Sequence, residues 1–231
     1  MKISRVHSWD VDYREAVRIQ EALRRDLVVR EDRFPERIGT IAGADVSFLG
    51  RNPLFHAAVT VLDFPSLDIL EVAVHSETVS FPYIPGLLTF REGPPLLGAF
   101  GKLRTVPDVV IFDGQGIAHP RGLGLASHMG VLLGIPSIGC GKTRLVGEHG
   151  EPGEGKGSAV PLLYEGNPVG AVVRTRRGVK PVFVSPGHDM GFERAVEIVL
   201  ACCRSFRLPE PVRRAHDAVN RARKGLPVTP C

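Results

Sequence analysis

Three acidic residues occupy positions in the predicted elements where metal-dependent chemistry can occur. Asp45 lies within a strand-like segment, Glu92 lies on a predicted helix, and Asp113 lies at the carboxyl end of the buried strand pattern DVVIFDG. In open α/β sheets ligands gather beyond the carboxyl ends of strands, and the small residues after Asp113 leave room for a substrate. Hard carboxylate oxygens favour Mg²⁺ or Mn²⁺ over zinc. The pattern predicts a divalent metal site, although a lone strand-end aspartate is also a common capping or turn residue.

The lysine in GCGKTR, Lys142, invites comparison with a nucleotide-binding P-loop. That motif, G-x-x-x-x-G-K-[ST], requires glycine at position 136, where this chain has proline. The sequence therefore excludes a P-loop, and the function of Lys142 must be sought elsewhere.

The cysteines give no sign of a metal or disulfide site. They stand at positions 140, 202, 203 and 231 and form no C-x-x-C pair. We interpret them as reduced packing residues, with a nucleophilic Cys140 in SIGCGKTR as the weaker alternative.

The segment FPYIPG places Tyr83 between two prolines. Pro82 and Pro85 lack backbone donors and restrict the chain, so Tyr83 is predicted on a stiff loop. One interpretation is an aromatic ring packed under a proline-rich turn. The other is an exposed ring used for binding.

Hydrophobic periodicity predicts the elements that position these residues. The predicted helices are 12–30, 86–104, 122–134, 190–204 and 210–224; the predicted strands are 38–48, 55–63, 69–76, 108–114, 136–140, 159–164, 168–175 and 181–185. Short turns join the first three strands, which indicates an antiparallel meander, whereas helical crossovers force parallel pairing of the next strands. The predicted sheet is therefore mixed.

Length and composition indicate one globular domain over residues 1–231. The chain has 43% hydrophobic residues and no apolar run long enough to span a bilayer, so a cytoplasmic, monomeric protein is expected. Its net charge is +4, and the seven basic and two acidic residues from Arg204 onward leave about −1 for the remainder. This basic end is a modest sign of a phosphate-backbone partner.

Six segments together resemble the endonuclease V family, deoxyinosine-directed repair nucleases with the ribonuclease H-like fold. They are IAGADVSF, FPYIPGLLTFRE, PDVVIFDGQGIAHPRGLGLASHMG, IGCGKTR, VFVSPGH and RRAHDAVN, in the family's order and almost from end to end of the chain. The resemblance implies an α/β fold with a mixed central sheet flanked by helices. It also implies Mg²⁺-dependent hydrolysis of the second phosphodiester bond 3′ of a deoxyinosine in DNA, leaving 3′-OH and 5′-phosphate.

The resemblance further implies roles for individual residues. Asp45, Glu92 and Asp113 would hold Mg²⁺, or Mn²⁺ in its place, and Lys142 and His216 would lie in the catalytic pocket. A neutral His216 is one candidate for the base that activates water.

Other residues would bind DNA. The wedge that separates the strands would consist of Pro82, Tyr83, Ile84 and Pro85. His119 and Arg121, which follow Asp113 closely, are candidates for phosphate contacts. Backbone groups would read the base in a pocket formed by Gly86, Leu88, Gly114 and Gly124, where hypoxanthine offers an N1–H donor and O6 and N7 acceptors.

Two alternatives remain. Inosine-containing RNA, rather than DNA, is one possible substrate, because backbone groups can contact a 2′-OH. A non-catalytic nucleic-acid-binding protein on the same fold is the other. A binder has no need of the three acids or of Lys142, so their joint presence favours the enzyme.

Overall fold

The computed structural model describes residues 7–30, 32, 34–50 and 52–228, and this part of the chain forms five helices and ten strands. The helices are Tyr13–Leu23 (α1), Leu88–Phe100 (α2), Leu125–Leu133 (α3), Phe192–Cys202 (α4) and Glu210–Arg223 (α5). The strands are Val29–Arg30 (β1), Thr40–Phe48 (β2), Leu54–Asp63 (β3), Ile69–Thr78 (β4), Val109–Phe112 (β5), Ser137–Gly141 (β6), Ala159–Tyr164 (β7), Asn167–Val173 (β8), Val182–Pro186 (β9) and Met190–Gly191 (β10).

Eight of the strands form one mixed sheet in the order β4-β3-β2-β5-β6-β9-β8-β7. The meander β2-β3-β4 is antiparallel, whereas β5 pairs parallel to both β2 and β6 because helices α2 and α3 return the chain between them. The predicted meander and mixed sheet are confirmed. At the far side β9, β8 and β7 continue the sheet in antiparallel pairs.

Helices cover both faces of the sheet, and the central strand shows why. In β5 every residue is buried: Val109 and Ile111 face the cluster that includes α4 and the start of α5, while Val110 and Phe112 face α2 and α3. A strand that is apolar on both faces must be sandwiched between layers. Its carboxyl end, where Asp113 follows, thus opens at the edge of a three-layer core.

Helix α5 lies close against β2 because β2 has a glycine where they meet. A β-carbon added at Gly43 would lie 2.0 Å from both the carbonyl carbon and the oxygen of Pro211. Real β-carbons do not approach backbone atoms so closely, so only glycine allows this contact. Gly43 and Asp45 lie two residues apart on one face of β2, which directs the Asp45 carboxylate toward α5.

The predicted secondary structure was wrong in one detail and missed another. The first helix ends at Leu23 rather than at 30, because the chain turns at 24–26 and the β-branched Val29 then enters the parallel pair β1–β10. That two-residue pair joins segments about 160 residues apart, and no periodicity in either segment predicts it. In the described part of the chain, no helix is long and apolar enough to cross a membrane.

Candidate active site

Asp45 and Asp113 lie side by side because they follow paired residues of neighbouring strands. Ala44 of β2 pairs with Phe112 of β5, and the Asp113 N–H donates to the Ala44 carbonyl at 3.4 Å. Both carboxylates are largely buried, with side chains 11% and 15% exposed. Burial, and then the neighbouring Asp113, raise the pKa of Asp45.

Glu92 reaches the same cluster from helix α2. Burial raises its pKa from an ordinary 4.5 to about 8, and Asp45 and then Asp113 add to the effect. Burial is the larger cause, and the contributions of Asp45 and Asp113 mean that Glu92 lies within electrostatic range of both carboxylates.

Two of these carboxylates each bind a basic side chain. The ammonium of Lys142, which follows β6, donates to Asp113 Oδ2, and His216 Nδ1 of α5 lies 2.7 Å from Asp45 Oδ2. Among the described residues, no three His, Cys, Asp or Glu side chains stand in an arrangement that could already hold a metal ion. Of the three predicted metal ligands, Asp113 binds Lys142 and Asp45 binds His216 in this structure.

The hydrogen bonds of His216 define its tautomer. The Asn220 amide nitrogen lies 2.9 Å from His216 Nε2, and the Asn220 Oδ1 accepts from Ser47 Oγ at 3.3 Å and from Arg223 Nη2 at 3.1 Å. An amide nitrogen only donates, so Nε2 accepts and Nδ1 carries the proton that binds Asp45. Neither ring nitrogen then has a free lone pair, and this arrangement favours His216 as a support for Asp45 over the predicted role as a base.

A cavity of about 280 Å³ adjoins the acids. Asp113, Lys142 and Tyr83 all line it. Its remaining lining includes every residue predicted for the base pocket together with two wedge residues: Gly86, Leu88, Gly114, Gly124, Ile84 and Pro85. The tertiary structure therefore places three of the four predicted wedge residues, the predicted base pocket and the Asp113 carboxylate around one space.

Tyr83 is exposed to solvent at this cavity rather than packed in the core. Its ring is 66% exposed, while the neighbouring Phe81 and Leu87 are buried and fix both ends of the loop. The packing interpretation of Tyr83 is thus wrong in this structure, and the exposed-ring interpretation agrees with it.

The model of the family described as Endonuclease V matches residues 21–217 of this chain. The chain belongs to the endonuclease V family. Endonuclease V of Gloeobacter violaceus is 50% identical over 222 residues, which cover 95% of this chain and 89% of that protein. The resemblance seen in the six sequence segments is confirmed.

Solved structures of endonuclease V share the fold. The crystal structure of endonuclease V from Streptomyces avermitilis is 42% identical, with a TM-score of 0.90 over 94% of this chain and 96% of that one. Endonuclease V from Ciona intestinalis, solved with a 23mer DNA containing an inosine followed by a ribo-adenosine, is 27% identical, with a TM-score of 0.82 over 92% and 97% of the two chains. The predicted ribonuclease H-like fold is confirmed, and membership in this family makes the chain a nuclease of the hydrolase class.

His119 and Arg121 are directed at the Gly86 carbonyl, next to the predicted wedge residues 82–85. His119 is 4% exposed, its Nε2 lies 2.9 Å from the Gly86 carbonyl, and Arg121 Nη2 donates to the same oxygen at 2.6 Å. Burial, and then Arg121, lower the pKa of His119 to about 4, so the ring is neutral and donates through Nε2–H. These contacts hold the loop from inside; the predicted phosphate contacts stay a prediction.

Sequence reasoning missed Gln20, the third donor to this carbonyl. Its amide donates to Gly86 O at 3.0 Å and accepts from Arg121 Nε at 2.6 Å. A sequence signal exists, because Gln20 interrupts the apolar face of α1 between the buried Ala16 and Leu23. A polar residue on a buried helix face requires a partner.

Cys140 is a packing residue, as predicted. Its side chain is fully buried in the core next to β9 and α4. Burial, and then Cys203, raise the pKa of its thiol well above the ordinary value. The thiolate that a nucleophile requires is therefore strongly disfavoured.

Glu92→Gln is expected to raise the unfolding temperature of the metal-free protein at pH 8 and to change it little near pH 4.5. The folded pKa of Glu92 is about 8 and the ordinary value is 4.5, so between these values the folded protein keeps a proton that the unfolded chain has released. Wild-type stability then falls as pH rises through this window, and glutamine removes that loss. Thermal unfolding in EDTA at both pH values checks this, with the exposed Glu21→Gln as control; equal shifts at both pH values would contradict it.

Proposed function

We propose that this protein recognises deoxyinosine in DNA and hydrolyses the second phosphodiester bond on the 3′ side, with Mg²⁺, leaving 3′-OH and 5′-phosphate. The observation that carries the proposal is that Asp113, Lys142 and the Tyr83 loop line one and the same cavity. At about 280 Å³ it lies near the lower end of ligand-site volumes, roughly 300–1,000 Å³, and suits one extruded base. The inosine-containing DNA in the Ciona relative supports the choice of partner.

The residues present fit a divalent cation. Asp45, Glu92 and Asp113 offer hard oxygen donors. Burial, and then repulsion by neighbouring carboxylates, raise the pKa of Asp45 and Glu92, and a bound cation would offset that repulsion. A bound Mg²⁺ supplies charge stabilisation for the phosphate and lowers the pKa of a water molecule. Mn²⁺ prefers the same donors and should replace it.

The chain's own bases complete the site. The Lys142 ammonium lies at the cavity wall beside Asp113, where it can neutralise charge that develops on the phosphate in the transition state. His216, held by Asn220, fixes the orientation of the Asp45 carboxylate. Lys142 thus stabilises charge on the phosphate, and His216 positions a carboxylate. Charge stabilisation and positioning are the main contributions of a protein to metal-assisted phosphodiester hydrolysis.

Backbone groups around the cavity select the base. The N–H groups of Gly114 and Gly124 already donate within the protein, each at 2.9 Å, and the Gly124 carbonyl accepts from the His128 N–H at 2.9 Å, so the Gly114 carbonyl is the group that these glycines offer to a base. Leu88 begins α2, whose N-terminus has no side-chain cap, and its N–H is therefore a donor for O6 of hypoxanthine. The Gly114 carbonyl is the matching acceptor for N1–H. Adenine presents the opposite pattern at this edge, which gives discrimination.

The test is a cleavage assay with purified protein and Mg²⁺. Duplexes that differ only in one deoxyinosine or deoxyadenosine are compared, and the cut position is mapped. A matched RNA containing inosine is included, because the DNA of the Ciona complex carries a ribonucleotide directly after the inosine. A cut at the second bond 3′ of deoxyinosine supports the proposal. Cleavage of the inosine RNA with an intact deoxyinosine duplex would show that RNA is the substrate. Cleavage of neither would favour a non-catalytic binding protein.

Tyr83→Ala is expected to weaken binding and single-turnover cleavage of inosine duplex by about 1 to 3 kcal/mol, the usual contribution of a stacked aromatic ring. The exposed ring can fill the gap left by the extruded base. Tyr83→Phe keeps the ring and should lose much less. A single strand is already largely unstacked, so the alanine variant should be less impaired on it. Measurements at fixed salt compare both substrates; equal defects on the two would remove the wedge role.

A further inference from the structure

The loop that carries Lys142 is held by two side chains from distant parts of the chain. Arg207 lies between α4 and α5, and its Nη2 donates to the carbonyl of Lys142 at 2.8 Å and to that of Pro181 at 2.7 Å. Gln115 lies in the loop after β5, and its Nε2 donates to the carbonyl of Thr143 at 2.9 Å. Two successive carbonyls of one loop are therefore fixed by side chains rather than by a strand partner.

The glycine before the lysine shows how tightly Gln115 packs against this loop. Gln115 is 8% exposed, and a β-carbon added at Gly141 would lie 2.3 Å from its amide nitrogen. The amide thus occupies the space that any other residue at 141 would need. Sequence reasoning treated Gln115 only as part of the short loop after Asp113, and it counted Arg207 only among the basic residues of the C-terminal end.

These contacts matter because the loop itself is exposed. Residues 142–145 are all exposed, and the Lys142 side chain is 42% exposed. A lysine side chain loses much of its rotamer entropy when it is held in one conformation. When the backbone around Lys142 is already fixed, less conformational entropy is lost as the ammonium is held against Asp113. The planar guanidinium of Arg207 can bridge two carbonyls at once, which suits this task.

We propose that Arg207 and Gln115 are positioning residues that clamp the Lys142–Thr143 backbone and so hold the Lys142 ammonium against Asp113 for cleavage. The inference rests on the proposed function, in which Lys142 stabilises the transition state. Arg207 does not itself line the cavity, and its Nη2 binds the carbonyls of Lys142 and Pro181 rather than a carboxylate, so it acts through Lys142.

A double-mutant cycle tests the clamp. Arg207→Ala is expected to slow single-turnover cleavage of deoxyinosine duplex about ten-fold while leaving its dissociation constant within about two-fold, because positioning is used mainly in the transition state. Lys142→Ala should be slower still, and adding Arg207→Ala to it should change nothing more. The control is Arg204→Ala, which removes an arginine of the same segment that also binds two backbone carbonyls, those of Pro65 and Ser66, and should cleave normally.

A structural readout separates failure of the clamp from failure of the proposed function. Trypsin cuts after Lys142 and Arg144, and loosening the loop should accelerate these cuts in Arg207→Ala but not in Arg204→Ala, whether or not the protein cleaves DNA. Gln115→Met, which removes the other donor at similar length, provides the same comparison where Arg207→Ala does not fold. Wild-type rates of both DNA cleavage and tryptic cutting in Arg207→Ala would overturn the clamp, as would an equal loss in the Lys142→Ala background. A normal Lys142→Ala would overturn its catalytic basis as well.

Discussion

Asp113→Ala and Asp45→Ala are each expected to lower cleavage of deoxyinosine DNA by several orders of magnitude while the protein stays folded. The two carboxylates lie side by side at the end of β5 and on β2, and in the proposed function they hold the ion that activates water. Loss of either also releases a base, Lys142 or His216, from its partner. Binding of the DNA should survive, because the cavity lining at 83–86 and 88–89 and the predicted phosphate contacts lie outside these two side chains.

Single-turnover cleavage and DNA binding by each variant check this expectation. Asp113→Asn keeps the shape and removes the charge, so it should be as inactive as alanine. Asp217→Ala is the matched control, since Asp217 is an exposed acid beside His216 on α5 and is not part of the cluster. Near-normal nicking by either cluster variant in Mg²⁺ would refute the assignment of the site.

Gly43→Ala is expected to destabilise the protein by about 3 kcal/mol, at the upper end of the usual cost of overpacking. The added carbon would meet the Pro211 carbonyl group at 2.0 Å and the Val212 nitrogen at 2.5 Å, and these are backbone atoms that cannot rotate away. Helix α5 must therefore move off β2. His216 lies on this helix, so its 2.7 Å contact with Asp45 should be lost along with stability.

Urea unfolding and cleavage assays measure the two effects of Gly43→Ala together. Gly39→Ala is the control, because a β-carbon there would meet only Asp108 Oδ2 at an ordinary 3.6 Å. Gly39 should tolerate alanine with little change in either measurement. Unchanged stability and activity of Gly43→Ala would show that α5 can shift without cost and that its fit against β2 is not needed.

Local pattern was sufficient to predict most elements of this fold. The meander strands, the buried β5 strand and the helices between them were predicted within a few residues, because each has a strong period of two or a continuous apolar run bounded by turn residues. The same patterns placed Asp45 on a strand, Glu92 on the first helix after the meander and Asp113 at a strand end. Topology rules then predicted parallel pairing around β5.

Family resemblance, rather than local pattern, predicted the roles of Lys142 and His216. Spacing alone left Lys142 without a function once the P-loop was excluded. The antiparallel addition of β9, β8 and β7 to the sheet, and the β1–β10 pair, also lay beyond local pattern. Such pairings join residues far apart in the chain, and the free energy that selects them comes from packing of the whole core.

The sequence by itself determined which residue types are available for chemistry: three acids, a lysine, a histidine and a tyrosine on a stiff loop. Only the tertiary structure decided which of these side chains bind each other. It paired Lys142 with Asp113 and His216 with Asp45, set the histidine tautomer through Asn220, and turned His119 and Arg121 toward the Gly86 carbonyl. The physical reason is that a hydrogen bond depends on distances of a few tenths of an ångström between side chains from different elements, and sequence periodicity specifies only the face on which each side chain lies.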